Sequence, residues 1–217
     1  RQGFVGCHMV TPLPPQPFAP RTESLEFGSL LHRVHHHHFR GAQFNPGRGS
    51  PTRFAFVRGQ TGRKVGALYA AATQDAAVAE TLLHDLPLSG GILPFERYAP
   101  TVMSRLIVTR PLRLAAFHGL GLRQLKVTAE QLTSSPASTY SQTLAWAQAA
   151  YDAGFDGCSW MSRLCNNSKS YVFFSDRART ALRTDPGFAR LFATGADLNW
   201  LIDLCAPLRV DVLPPRG

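Results

Sequence analysis

The order of the apolar runs constrains this chain more than any single motif. Stretches of strand character come in unequal groups with only two well-marked helices among them. No regular strand–helix alternation exists from which a parallel, doubly wound sheet can be built. The runs Leu30–Val34, Phe54–Val57, Val65–Ala72, Val102–Thr109, Leu112–Ala116, Gly157–Met161 and Tyr171–Phe174 read as strands. Thr73 is a good N-cap for an Ala- and Leu-rich helix running to about Asp85 and stopped before Pro87. A second helix, from about Thr139 to Ala153, meets Gly154 in the usual C-terminal position. A last helical region is expected from about Pro186 to Leu204. The pattern predicts an α+β fold.

A chain of 217 residues with 44% hydrophobic content supports one core and is short for two. One domain, residues 28–217, is the economical reading, preceded by an arm, residues 1–27. Five prolines in residues 11–20 keep that arm out of a central strand and on the surface. The odd leader Arg1–His8 before Met9 points to a native start at Met9, with a vector scar before it. No apolar stretch approaches the roughly 18 residues that span a bilayer. No basic segment followed by an apolar run marks a secretory signal. A cytoplasmic protein is expected. Cys7, Cys158, Cys165 and Cys205 show no C-x-x-C spacing, so reduced thiols are favoured over a disulfide frame or a zinc site.

The net charge of +9 raises nucleic acid as a partner. Its cations are scattered, however, with the densest group (Arg33, Arg40, Arg48, Arg53, Arg58, Arg63, Lys64) among glycines and turn signals. No block of five like charges and no recognition helix accompanies them. A doubly anionic small ligand or an acidic protein partner fits as well, and nucleic acid is disfavoured.

Four positions can carry chemistry. Arg33 sits in the first expected strand, where a guanidinium offers a planar fork to phosphate or carboxylate; an edge-strand surface arginine is the plain alternative. Tyr69 ends the strand Val65–Ala72, its ring able to stack on a flat heterocycle with the hydroxyl free to bind a polar edge; a core tyrosine is the alternative. Glu80 lies midway along the helix after Thr73. It is either part of a solvated stripe with His84 or a carboxylate that stabilises positive charge on a ribose ring. Ser162 follows the strand Gly157–Met161, where a hydroxyl can bind a ribose or an amide, or simply turn the chain. It lacks a G-x-S-x-G elbow and any nameable acid–histidine pair, so it is no covalent nucleophile. The run His35–His38 looks metallic, but successive residues on an extended chain point to opposite sides, so no metal site is expected. Neither a G-x-x-x-x-G-K-[ST] loop nor a strand-to-helix G-x-G-x-x-G is present.

Taken in order, these positions resemble the RES family, named for an arginine, a glutamate and a serine. The resemblance rests on His32-Arg33-Val34, Phe44-Asn45-Pro46-Gly47 and Arg53-Phe54. It continues through Leu68-Tyr69-Ala70-Ala71 and Ala76-Ala77-Val78-Ala79-Glu80. It closes on Gly154-Phe155-Asp156-Gly157, Trp160-Met161-Ser162-Arg163 and Tyr171-Val172-Phe173-Phe174. The resemblance covers residues 28–175. The Pro-rich arm and the four histidines depart from the usual pattern.

The resemblance implies an ADP-ribosyltransferase-like fold: a split, mostly antiparallel sheet with flanking helices, gripping NAD in a cleft. It implies that Arg33, Tyr69, Glu80 and Ser162 face that cleft, with Asn45 and Arg53 among the NAD-binding residues. In that scheme Arg33 holds the phosphates or adjoining ribose, Tyr69 stacks on nicotinamide, and Ser162 helps hold the folded dinucleotide. Glu80 stabilises the oxocarbenium ion left as nicotinamide departs. The implied role is a bacterial toxin that degrades NAD by hydrolysis or phosphorolysis, neutralised by an antitoxin with a helix-turn-helix domain. A mono-ADP-ribosyltransferase acting on a protein or nucleic acid shares the same site, and a basic binding module without activity is the third reading.

Overall fold

A computed structural model describes residues 11–214; the expected start at Met9, the leader and Cys7 lie outside them. The chain forms β1 (Thr22–Leu25), β2 (Leu30–His36), β3 (Ala67–Ala71), α1 (Gln74–Thr81), β4 (Gly91–Leu93), α2 (Phe95–Tyr98), β5 (Thr101–Val108) and β6 (Leu112–Phe117). It continues with α3 (Leu120–Gln124), α4 (Ala129–Leu132), α5 (Tyr140–Asp152), β7 (Gly157–Met161), β8 (Lys169–Phe174), α6 (Ser175–Ala178), β9 (Leu182–Leu191), α7 (Gly195–Cys205) and β10 (Val210–Val212). Eight strands make one sheet in the order β1-β6-β7-β8-β3-β2-β5-β9, while β10 and β4 form a small parallel pair. Within the large sheet only β6 and β7 run parallel. The α+β architecture expected from the sequence is present.

The sheet nearly parts in its middle. β2 pairs with β5 at seven positions and β3 with β8 at five. By contrast β2 and β3 share one register pair, His32 with Ala71. Few ladder bonds tie these neighbours, so the two halves splay and a cleft opens beside the single point of contact.

Both faces of β8 are covered. Tyr171 and Phe173 pack with Leu68, Leu106 and Leu114, while Val172 and Phe174 turn to Trp146, Ala150 and Phe117. Alternation of this kind on a strand buried on two sides reads as an unbroken apolar run. Gly157 begins β7 because a Cβ there would lie 2.0 Å from the Val172 carbonyl oxygen. Helix α5 ends as its sequence signals: Gly154 has φ of 86°, and the Phe155 amide donates to the Ala150 carbonyl at 3.1 Å.

Several expectations are corrected. A strand precedes Leu30: β1 lies in the arm and pairs with β6 at the sheet edge. The prolines before it run along the domain, where Trp146 Nε1 donates to the Pro12 carbonyl at 2.7 Å and Phe18 meets the Trp146 ring edge-on. Phe54–Val57 is no strand. Its residues are buried, but an isolated bridge from Thr52 to Ala55 folds the chain back on itself. Helix α1 stops at Thr81, short of Asp85. Residues 186–191 are strand, not helix: Pro186 lies in β9, an edge strand where a missing N–H leaves no partner unpaired.

Glu23 of β1 is the centre of a polar cluster. Its carboxylate accepts from His118 Nε2 at 2.6 Å, Lys169 Nζ at 2.7 Å and Ser159 Oγ at 2.8 Å. Burial pushes its pKa up, but these three bonds, with the Lys169 charge, outweigh that and hold it at about 2. A lowered folded-state value means stabilisation present above the ordinary 4.5 and lost as pH falls toward 2. The stability gap between parent and Glu23→Gln, read by chemical denaturation, should be level at neutral pH and close steadily on acidification below 4.5. A gap that stays constant into strong acid would show that the cluster does not act through ionised Glu23.

Candidate active site

The cleft at the split in the sheet encloses a cavity of about 510 Å³, bordered by His32, Arg33, Arg53, Tyr69, Glu80 and Trp160 among others. That volume suits a small-molecule site. β2 delivers Arg33 to one wall, β3 delivers Tyr69 to the other, and α1 brings Glu80 over the opening.

Arg33 is anchored by the chain that follows its own strand. Nη1 donates to the carbonyls of Gly41 and Gln43, both at 2.7 Å. Burial lowers its pKa to about 10, with no acidic neighbour offsetting the shift. It therefore remains charged at neutral pH, half-buried and with no ion-pair partner among the described residues. An anion entering the cleft would neutralise it.

Arg53 is a second cation of the same kind. Nη1 reaches Ser135 Oγ at 2.8 Å and the Leu132 carbonyl at 3.2 Å, and the guanidinium lies 5.2 Å over the Tyr140 ring. Burial lowers its pKa, opposed by Tyr140 and then Glu80. Two guanidinium groups in one cavity fit a pair of linked phosphates.

The remaining side chains settle into particular roles. Thr73 caps α1 by accepting from the Ala76 amide at 3.3 Å, and Ala76–Ala79 are buried, so Glu80 is positioned from a fixed helix. Ser162 Oγ donates to Glu80 Oε1 at 2.5 Å and accepts from the Cys165 amide at 3.1 Å. At 1% exposure Ser162 stands behind Glu80, not on the cavity wall. In this structure its hydroxyl is taken up by Glu80 and the Cys165 amide. The Tyr69 hydroxyl is likewise committed: it bonds Thr52 Oγ1 at 2.8 Å and accepts from the Phe54 amide at 3.2 Å. Its ring, edge-on to Trp160 at 6.0 Å, is what forms the wall. Asn45 borders the cavity, but its Oδ1 accepts from the Gly47 and Arg48 amides and its Nδ2 donates to the Arg48 carbonyl. That side chain shapes its own turn.

Sequence reasoning missed His32, Tyr140, Trp160 and Ser170 as lining residues. Ser170 Oγ and His32 Nδ1 are buried with no side-chain hydrogen-bond partner among the described residues. Ser170 pairs with Ala71 on one side and Trp160 on the other, a placement visible only in the register. A wider depression of about 590 Å³ around Gly59–Lys64 and Asp176–Arg177 is a weaker candidate. There Asp176 is taken by the Tyr151 hydroxyl, and Arg177 by the Tyr151 and Phe155 carbonyls.

The histidine run behaves differently from expectation. β2 ends at His36, and the chain then turns, so His36, His37 and His38 converge with one ring nitrogen from each within 4.8 Å of the others. The divergence argument holds only for extended chain. His35 alone points away, bonded to Ser104 Oγ at 2.8 Å.

The model of the RES domain matches residues 30–192, about three-quarters of the chain. This chain belongs to the RES-domain family. Among solved structures it is similar to a chain of the M. tuberculosis MbcT–MbcA toxin–antitoxin complex. The TM-score is 0.59 at 13% identity, covering 84% of this chain and 92% of that one. That likeness is one of fold. No curated protein matches. No helix among the described residues is long and apolar enough to cross a membrane.

The arginine, glutamate and serine that named the resemblance thus fall at one cleft of this RES domain, two on its border and one behind. Ser162→Ala tests the last assignment. Removing one hydrogen bond to a carboxylate should cost roughly tenfold in turnover of the cleft's substrate. KM should be unchanged if Ser162 acts through Glu80, as its hydrogen bond suggests. A rise in KM with kcat preserved would show that the hydroxyl touches the substrate after all.

Proposed function

We propose that this RES-domain protein cleaves the nicotinamide–ribose bond of NAD, as the toxin of a toxin–antitoxin pair acting in the cytoplasm. The observation that carries the reading is the half-buried Arg33, without an ion-pair partner among the described residues, and its companion Arg53 in one cavity with the carboxylate of Glu80. Two cations suit the pyrophosphate, and the Tyr69 and Trp160 rings suit a flat heterocycle. As the C1′–N bond breaks, its electron pair leaves with nicotinamide and the ribose becomes an oxocarbenium ion. The Glu80 carboxylate stabilises that cation. Water then adds and releases a proton, giving ADP-ribose, or a phosphate oxygen adds, giving the 1-phosphate. The catalytic unit is residues 28–217, with the arm, residues 1–27, adding β1 to the sheet edge. The partner is an antitoxin carrying a helix-turn-helix domain. An acidic or C-terminal segment of it covers the cleft mouth at Arg33 and the Arg48–Arg53 loop, blocking NAD entry.

The test is to incubate purified protein with NAD, with and without inorganic phosphate, and to follow free nicotinamide. Release without any macromolecular target supports the proposal, and the second product identifies the acceptor. Release only after cell lysate is added would point to ADP-ribosyl transfer instead. No release under either condition would favour a basic binding module.

A further inference from the structure

The turn that closes β2 holds a side-chain cluster that the cleft does not use. The Phe39 amide donates to the His36 carbonyl at 3.0 Å, making a four-residue turn with His37 and His38 at its corners. The three rings lie 4.6, 4.6 and 4.2 Å apart, centre to centre. His37 is pinned to the start of β5: its amide and its ring Nδ1 both meet the Pro100 carbonyl at 2.9 Å. A carbonyl only accepts, so Nδ1 carries the proton and Nε2 keeps its lone pair. Metal-ligating histidines are oriented in the same way, with the far nitrogen donating to a carbonyl and the near one facing the ion. His36 Nδ1 takes only a long 3.3 Å contact from the His38 amide, and the His38 ring is exposed. Both are able to swing.

We propose that His36, His37 and His38 bind one divalent transition-metal ion of the zinc type, with water completing the coordination. Three imidazoles without a carboxylate suit zinc, copper or nickel and not calcium or magnesium. Tetrahedral bonds of about 2.0–2.1 Å require ligand nitrogens roughly 3.4 Å apart. The present spacing, within 4.8 Å, closes to that by small rotations of exposed rings. The bound ion would clamp the end of β2 to the turn that leads, within a few residues, to the Gly41 and Gln43 carbonyls holding Arg33. The site stands independently of what the cleft binds.

The experiment is calorimetric titration of tag-free, chelator-stripped protein with zinc alone, magnesium serving as the control ion. The expected result is one zinc per chain and no magnesium binding. His38→Ala should weaken zinc by more than the roughly tenfold that an outer partner costs. Cobalt should give visible bands of tetrahedral intensity in the parent and not in the variant. His38 is exposed at a turn corner, so the variant should keep its fold, which circular dichroism checks. If it does not, His38→Asn, which keeps a polar residue at the turn, provides the same comparison. No zinc uptake by the parent, or uptake by a His37→Ala, His38→Ala double variant equal to the parent's, overturns the proposal.

Discussion

Glu80→Gln should lower the nicotinamide release proposed for the cleft by at least roughly a hundredfold, with folding intact. The substitution keeps the shape of the side chain, and its amide oxygen can still accept the Ser162 hydroxyl that now reaches Glu80 Oε1 at 2.5 Å. Only the charge goes. If the ribose passes through a cation, the barrier rises by what that carboxylate contributed, while NAD affinity should move little if the arginines and rings set it. The measurement is kcat and KM for nicotinamide release, with thermal unfolding as the control. A glutamine variant with the parent's kcat would make Glu80 an ordinary half-buried helix residue and remove the catalytic assignment.

Arg33→Lys weakens NAD binding by roughly 10–100-fold although the positive charge is kept. In the parent, Nη1 is held by the Gly41 and Gln43 carbonyls, which leaves the rest of the planar guanidinium to face the cavity. An ammonium has one nitrogen for both tasks. It either keeps the two carbonyls or turns to the phosphate, and it offers no bidentate fork in either case. Titrating NAD into the Arg33→Lys, Glu80→Gln double variant, against Glu80→Gln alone, reads the affinity without turnover. Equal affinities would place Arg33 outside the binding surface.

The two substitutions probe different links. The glutamate prediction concerns chemistry delivered from α1, a helix whose start is written in Thr73 and the alanines after it. The arginine prediction concerns binding and depends on the loop after β2, which no local pattern describes. Losing turnover but keeping NAD in Glu80→Gln, and losing NAD in Arg33→Lys, would divide the cleft between catalysis and capture.

Local sequence determined most of the elements. Strand β8 is legible because its residues are apolar on both faces, and α5 because Gly154 stands where a helix must turn left-handed. The order of Arg33, Tyr69, Glu80 and Ser162, together with the motifs around them, carries the family resemblance. Tertiary structure decided the rest, because it depends on contacts far apart in the chain. β1 and β9 are edge strands whose pairing comes from β6 and β5, so an arm and a Pro186 segment that look unlike strands become strands. The single His32–Ala71 pair, which opens the cleft, is a matter of register between β2 and β3. Ser162 was placed at the site by its sequence context, but only packing put it behind Glu80. The histidines converge because β2 ends one residue into them, at a point fixed by the turn hydrogen bond from Phe39 and by His37 meeting Pro100. Residue type sets what a side chain can do; the neighbours brought by distant strands set which of those things it does.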